Sequence, residues 1–353
     1  MRAWIALAVL ALAAGPARAG GASDELSAGS LETSAGGPRS TWTADKLGAI
    51  WDASDDWQLR FDLTATHDFA TRPATGFGDS GGNIWLANLS IEYDPDSHWS
   101  LRGFGGGSPS ATLETGTTVP LASATADAQL ESTASSVTAG ASAGYETGDL
   151  GAWETSAVVT VTGNAFDSLQ QITDVMNRTG QMESTQQVKD YCASHRCSAQ
   201  LTGALDAQDE TLGELVLDAS LSEQIHRNTD VGIDGAYYLY DKDPTQLGYF
   251  ALTAVGRTAT GAGMPIAPLQ FTVAPDLVQR WGGLMAMASC SYGQYVDAQG
   301  SDVSATLRLQ YRFKLDAGRR LKLWSKLIVS RDIDDSGNVL ASGSLSLGAQ
   351  YSW

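Results

Sequence analysis

Residues 338–353 read NVLASGSLSLGAQYSW, and their reading in twos decides the fold. Ala341, Gly343, Leu345, Leu347, Ala349, Tyr351 and Trp353 fall on one side. Ser342, Ser344, Ser346, Gly348, Gln350 and Ser352 fall on the other. Successive side chains of a strand point to opposite faces, so this is a long strand with one apolar and one polar face. It ends on a bare aromatic residue.

The same pattern recurs through the chain. From Trp57 to Phe69 the residues Trp57, Leu59, Phe61, Leu63 and Ala65 oppose Gln58, Arg60, Asp62, Thr64 and Thr66. From Val303 to Lys314 the residues Val303, Leu307, Leu309, Tyr311 and Phe313 oppose Ser304, Thr306, Arg308, Gln310, Arg312 and Lys314. Soluble strands usually run about five or six residues, so a dozen of strict alternation points elsewhere. Weaker copies lie at Asn83–Tyr93, Trp153–Val161, Val231–Asp241, Leu269–Leu277 and Leu321–Val329. Short connections rich in Asp, Gly, Pro or Ser (Asp52–Asp56, Asp94–His98, Thr147–Gly151, Asp241–Thr245, Gln279–Gly283, Asp316–Arg319) supply turn geometry. They alternate with a set holding the long loops Ala70–Gly81, Pro109–Ala128, Leu169–Arg196 and Arg257–Ala267.

In this pattern, and in the terminal aromatic strand with Tyr351 and Trp353, the chain resembles bacterial outer-membrane β-barrel proteins of the porin-like kind. Those barrels alternate apolar-out and polar-in over about ten residues, with short turns at one end and longer loops at the other. The resemblance implies an all-β transmembrane antiparallel barrel in the outer membrane of a Gram-negative bacterium, with both termini periplasmic. It also implies that Tyr351 and Trp353 carry an assembly signal read by the barrel-assembly machinery. Counting strands by parity gives about sixteen, with fourteen or eighteen as alternatives. Trp51, Trp57, Tyr93, Trp99, Tyr145, Trp153, Trp281 and Trp353 gather at the short-turn side, as an interfacial girdle would.

The N-terminus reads as an address. Arg2, the apolar run Ala3–Ala14 and Ala17-Arg18-Ala19 make a secretory signal peptide over residues 1–19, leaving one barrel domain over 20–353. Removing Arg2 and Arg18 from 22 basic residues leaves 20 against 40 acidic ones, a net charge of −20. So acidic a chain is a poor partner for nucleic acid. Of three cysteines, Cys192 and Cys197 are five apart. In an exported protein the pair reads as a disulfide rather than as part of a metal site with His195, because a structural zinc needs four ligands. Cys290 is expected to be a free, buried thiol.

Catalysis finds little support. Only His67, His98, His195 and His226 are available as bases, and no G-x-S-x-G elbow exists. His98 falls in a short turn, and His195 and His226 in external loops. Asp241–Asp243 and Asp332–Gly337 do not match a calcium loop. No enzyme activity, metal or cofactor is expected.

The informative signal is charge. Arg308, Arg312, Lys314, Arg319, Arg320, Lys322, Lys326 and Arg331 sit on two neighbouring strands and their turn. Alternation points Arg308, Arg312, Lys314, Lys322 and Lys326 inward. Other inward positions are acidic: Asp62, Asp68, Glu92, Glu154, Glu214, Asp218, Asp234 and Asp276. One basic wall facing a broad acidic one would give a lumen that orders polar solutes, as in general diffusion porins. A purely structural alternative is mutual pairing of these charges. The loops Leu169–Arg196 and Pro109–Ala128 are the candidates for a constriction or a lid. Leu169–Ile172 and Gln186–Lys189 are expected as short helical turns. The leading functional expectation is a channel passing small polar or ionic solutes. One alternative is an exit barrel for a secreted envelope polysaccharide working with periplasmic export partners. Another is a non-conducting scaffold or receptor in an envelope complex. The expected partners are outer-membrane lipid and a polar solute or polysaccharide, with an oligomer as one possible state.

Overall fold

A computed structural model describes residues 19–33, 40–70, 80–96, 98–121, 124–147, 155–195, 197, 199–244, 268–298, 300–315, 319–334, 337 and 339–353. The strands are β1 (Ala19–Thr33), β2 (Ser40–Asp52), β3 (Trp57–Ala70), β4 (Ser80–Tyr93), β5 (Trp99–Leu121), β6 (Ala124–Glu146) and β7 (Thr155–Met176). A two-residue strand β8 (Met182–Glu183) and helices α1 (Thr185–Ser194) and α2 (Ala199–Leu205) follow. Then come β9 (Gln208–His226), β10 (Thr229–Tyr240), β11 (Leu269–Trp281), β12 (Leu284–Tyr295), β13 (Gly300–Lys314), β14 (Arg320–Asp334) and β15 (Val339–Ser352).

All strands but β8 pair antiparallel with both sequence neighbours, and β1 pairs with β15. The result is a closed barrel of fourteen strands. Within the wall, closure gives each strand a partner on both sides among the described residues, which is what a bilayer demands of backbone N–H and C=O groups. The expectation of sixteen strands is corrected. β7 pairs directly with β9, and β10 directly with β11, so the wall has no gap for another strand. Residues 199–205 form α2, so the segment between β7 and β9 adds no strand to the wall. The count shifts two connections as well. His226 ends β9 beside a two-residue turn at the short-turn end, not in an external loop, and the connection after Tyr240 opens at the long-loop end.

Register fixes which face is which. In β15, Ser344 and Ser346 are 5% and 2% exposed while Leu345 and Leu347 between them are 51% and 59% exposed. The serines face the lumen and the leucines face out. Ser346 Oγ is 2.9 Å from Ser27 Oγ, and Ser330 Oγ is 2.5 Å from Ser342 Oγ, so the lumen face ties strands together by side chains as well. Carried round the ring, the outward face is an apolar band of Leu, Val, Ile and aromatic residues. Cys290 belongs to it. It is exposed on the outer face opposite Ala305, which corrects the expected buried thiol, because its odd position in β12 has outward parity.

The termini and the short turns share one end. Gly20 and Trp353 exchange backbone hydrogen bonds of 3.1 and 3.2 Å there. Outward aromatic pairs ring this end. Centroid separations are 4.5 Å for Trp57–Tyr93, 4.9 Å for Trp99–Tyr145, 4.5 Å for Tyr311–Phe313 and 5.8 Å for Tyr351–Trp353. Such a girdle suits the boundary between hydrocarbon and water. In the turn between β4 and β5, the backbone N–H groups of His98 and Trp99 donate to Asp96 and hold its carboxyl below the usual carboxylate range. Trp153 lies outside the described residues, as do residues 1–18, 71–79 and 257–267.

Four strands outgrow the wall. β5 and β6 are 23 residues long, β7 is 22 and β9 is 19, against 14 for β4. The surplus of nine residues in β5 extends it by about 30 Å at about 3.3 Å per residue. The loop expected over Pro109–Ala128 is therefore corrected: Ala111–Leu121 pairs continuously with Ala124–Ala134 as one hairpin. A bulge between Ser108 and Ala111 marks where β5 leaves the wall. Leu169–Ile172, expected as a helical turn, lies in β7 because it pairs with β6. Gln186–Lys189 is helical, inside α1.

Above the wall, the face continuous with the lumen changes character. Within the wall β6 presents Ser136, Thr138 and Ser142 to the lumen. Higher up it presents Leu130, Ala128 and Ala126. Val119, Ala126, Ala128, Ile172, Val175, Val188, Ala204 and Leu205 form a buried cluster joining this face to both helices. Ser184 caps α1, and Cys192 and Cys197 are joined by a disulfide across the link between the helices. Helix, hairpin and disulfide thus make a small water-type core on the lumen side of the rim.

Candidate functional site

The lumen face of β13 and β14 is a ladder of directly opposed pairs. From the loop end it runs Asp302–Asp332, Ser304–Ser330, Thr306–Ile328, Arg308–Lys326, Gln310–Trp324, Arg312–Lys322 and Lys314–Arg320. The five basic residues singled out in the sequence all lie on this ladder, and Arg320 joins them. Arg331 and Arg319 do not: Arg331 takes the outward parity opposite Val303, and Arg319 sits in the turn.

Trp324 organises the middle of the ladder. Its indole N–H donates to Glu25 Oε2 at 3.0 Å. Its ring lies over Gly348, where a Cβ would run into the ring carbons. The Arg308 guanidinium carbon sits 5.7 Å from the ring centroid. One face of the indole is thus closed by the wall and the other carries a cation. Two similar seats occur elsewhere on the lumen face. Trp42 lies over Gly29 and Phe104 over Gly140, and Arg102 stands 5.6 Å from the Phe104 centroid. These three inward rings each lie against a glycine of a neighbouring strand.

The acidic residues fall in two groups. Glu214, Asp218, Asp234 and Asp276 lie on the lumen face of β9, β10 and β11, joined by Asp230, which ion-pairs with Arg280. Neutral donors serve the upper end: Thr138 Oγ1 donates to Asn164 at 2.7 Å, and Asn164 Nδ2 to Glu214 at 2.6 Å. No acid of this arc stands directly opposite another. Asp234 faces Ser220 and Ala274, Asp218 faces Thr160 and Ala236, and Asp276 faces Gly232 and Ser289. The second group, on β3 and β4, sits beside its own cations. Asp62 takes a 2.8 Å bond from Arg60, and Glu92 stands opposite Arg102. Asp68 is placed in β3 opposite Trp42, but its side chain and the whole of Glu154 lie outside the described residues.

The angular arrangement differs from a basic wall facing an acidic one. In the ring of fourteen, β10 is three strands from β13, about a quarter turn. Seven strands from β13 and β14 lie β5 and β6, whose lumen residues include Ser100, Ser108, Ser136, Thr138 and Ser142 beside Arg102 and Phe104. The basic arc therefore faces a hydroxyl-lined wall, and the acidic arc adjoins it. Alternation along a strand carries no information about angle around a ring, so a fourteen-strand closure was needed to see this.

Trp324 and Glu25 stand within the basic side of the lumen and Lys46 and Arg60 extend it, none of which the local pattern marks. The last two lie on β2 and β3, beyond the β1–β15 seam. Nor does the pattern mark Tyr295, which donates to Asp332 in the least exposed corner of the lumen, where both residues are at most 1% exposed. An inward position is readable once parity is known, but adjacency of first and last strands is not. Among the described residues no group of three metal-ligating side chains forms.

No protein-family model matches the chain, and no curated protein matches it in sequence. Solved structures do match in shape. The Pseudomonas putida toluene transporter TodX matches at a TM-score of 0.52 with 11% identity, over 96% of this chain and 90% of that one. A TodX monoaromatic hydrocarbon channel deltaS2 mutant matches at 0.57 with 11% identity, over 97% and 91%. The CymD monoaromatic hydrocarbon channel matches at 0.53 with 9% identity, over 94% and 87%. The fold is that of bacterial outer-membrane β-barrels.

Proposed function

We propose that the chain is an outer-membrane channel that passes small polar or ionic solutes through its lumen. The observation that carries this reading is the partition of charge: basic and acidic side chains gather on the inner face, in separate arcs, around an otherwise Ser- and Thr-rich wall, while the outer face is an apolar band. Fixed charges lining a pore set which ions enter and how polar solutes orient. Planar-bilayer conductance of the folded barrel tests it, and a salt-dependent ohmic current is the expected result. Changing Arg308, Arg312, Lys322 and Lys326 together to Glu is expected to shift the reversal potential towards cation selectivity. A folded barrel that conducts nothing would sink the reading.

A second reading has its own observation. Trp42, Ile84, Leu86 and Ile328 are buried apolar residues on the lumen face of β2, β4 and β14. They add apolar side chains to the lumen face, the chemistry that a monoaromatic hydrocarbon, the solute named for TodX and CymD, would need. Uptake of toluene into cells or vesicles carrying the barrel, with no ionic conductance, would favour it.

A further inference from the structure

We infer that the ladder of β13 and β14 is a binding station for a small multivalent oxyanion, a phosphate-type dianion or a solute bearing one. The inference rests on the channel reading for its setting but not for its chemistry. Three cation pairs stand directly opposite each other: Arg308–Lys326, Arg312–Lys322 and Lys314–Arg320. Like charges directly across an antiparallel pair are destabilising. The acidic arc of β9 to β11 shows the usual remedy, since each acid there faces a neutral residue. Arg60 and Arg280 show the other remedy, an ion pair with a neighbouring aspartate. Arg308, Arg312 and Lys322 have neither. No ion pair joins them to a carboxylate among the described residues, and Arg308 Nε is buried without a hydrogen-bond partner.

So many unpaired cations in a chain of net charge −18 need a counter-charge from outside. The arrangement suits a planar or tetrahedral oxyanion. Two guanidinium groups supply paired N–H donors, and Lys322 and Lys326 supply point charges across from them. Trp324 is a positioning residue. Held by Glu25 and seated on Gly348, it fixes the plane of Arg308. The demand for charge exceeds one, because three unpaired cations meet within four residues of β13 and their partners on β14. Hence a dianion should be preferred to chloride.

The test uses the full-length folded barrel in non-ionic detergent, with inorganic phosphate and pyrophosphate as probes in low-chloride buffer. Calorimetry should show saturable binding, and phosphate should raise the unfolding midpoint more than chloride at equal ionic strength. In Arg308→Gln/Arg312→Gln/Lys322→Gln, affinity should fall at least tenfold and the phosphate-induced rise should vanish. The same variant should be more stable than the native barrel without anion, because like-charge opposition is relieved; this separates loss of a site from loss of fold. Trp324→Leu, which keeps every charge, should weaken binding several-fold. Three results would overturn the inference: no saturable phosphate binding by a folded barrel, equal stabilisation by chloride, or affinity indifferent to either variant. A barrel that conducts but does not bind sinks the station alone, and one that binds but does not conduct sinks the channel alone.

Discussion

The lumen wall of β13 and β14 and the cap on β5 to β7 are built from the same kind of strand yet held by opposite means. The wall has no interior core. Its strands are fixed by continuous backbone ladders, its outer face is left for lipid, and its inner face carries charge. The cap is a miniature soluble domain. Its sheet is the same sheet continued, but its lumen-side face has turned apolar and is buried under two helices. One sheet thus crosses from a solvent in which only the backbone must be satisfied to one in which burial of apolar area holds structure together. Ser136, lumen-facing and polar, and Ala128, cap-facing and apolar, sit on one face of β6 eight residues apart.

The sharpest way to break this contrast is to charge the cap's centre. Val188 has no exposed surface. Val188→Asp is expected to cost about 3–5 kcal/mol, since an unpaired carboxylate replaces a packed side chain. The cap should then be cut by protease within 177–207 while the barrel keeps its heat-modifiable mobility in gels. A variant that fails to close its barrel would show that cap and wall fold as one unit. A smaller effect is expected from Cys192→Ser/Cys197→Ser. Closing so short a loop restricts the unfolded cap by about 2 kcal/mol in the chain-entropy account. The expected outcome is faster hydrogen exchange in α1 and α2 with the wall unchanged; uniform acceleration would contradict the separation. The smallest effect probes the wall. Gly348→Ala puts a Cβ against the Trp324 ring, which must tilt at a cost of about 1 kcal/mol. The barrel should remain closed with a slightly lower unfolding midpoint, and Arg308 should lose its seat. Unaltered phosphate affinity in this variant would argue that the indole does not position Arg308.

How much of this was legible beforehand depends on range along the chain. The strands of strict alternation, β3, β13 and β15, stand where the pattern put them, because a period of two is a local property. Parity of the loops leaves the number of strands open by two, because it records the order of turns and not which strands pair, and the pairing of β7 with β9 settles it at fourteen. The polar, Thr- and Ser-rich composition of Pro109–Ala128 suggests a loop, yet the stretch pairs, since a hairpin is decided by its partner strand and by what packs on it. The inward basic residues were legible, but their neighbours Lys46, Arg60 and Glu25 were not, because they sit roughly 250 to 300 residues earlier in the chain.

By itself the sequence determined the barrel class, the inner and outer face of the long strands, the terminal aromatic strand and the cysteine pair. Each follows from residues close together, where side-chain direction is set by the backbone. Only the tertiary structure decided that fourteen strands close the ring, that the acidic arc lies beside the basic one, and that β15 meets β1 so that Glu25 reaches Trp324. Closure is a property of pairing between distant segments. It places β1 against β15 across more than three hundred residues, and no periodicity along the chain records that distance.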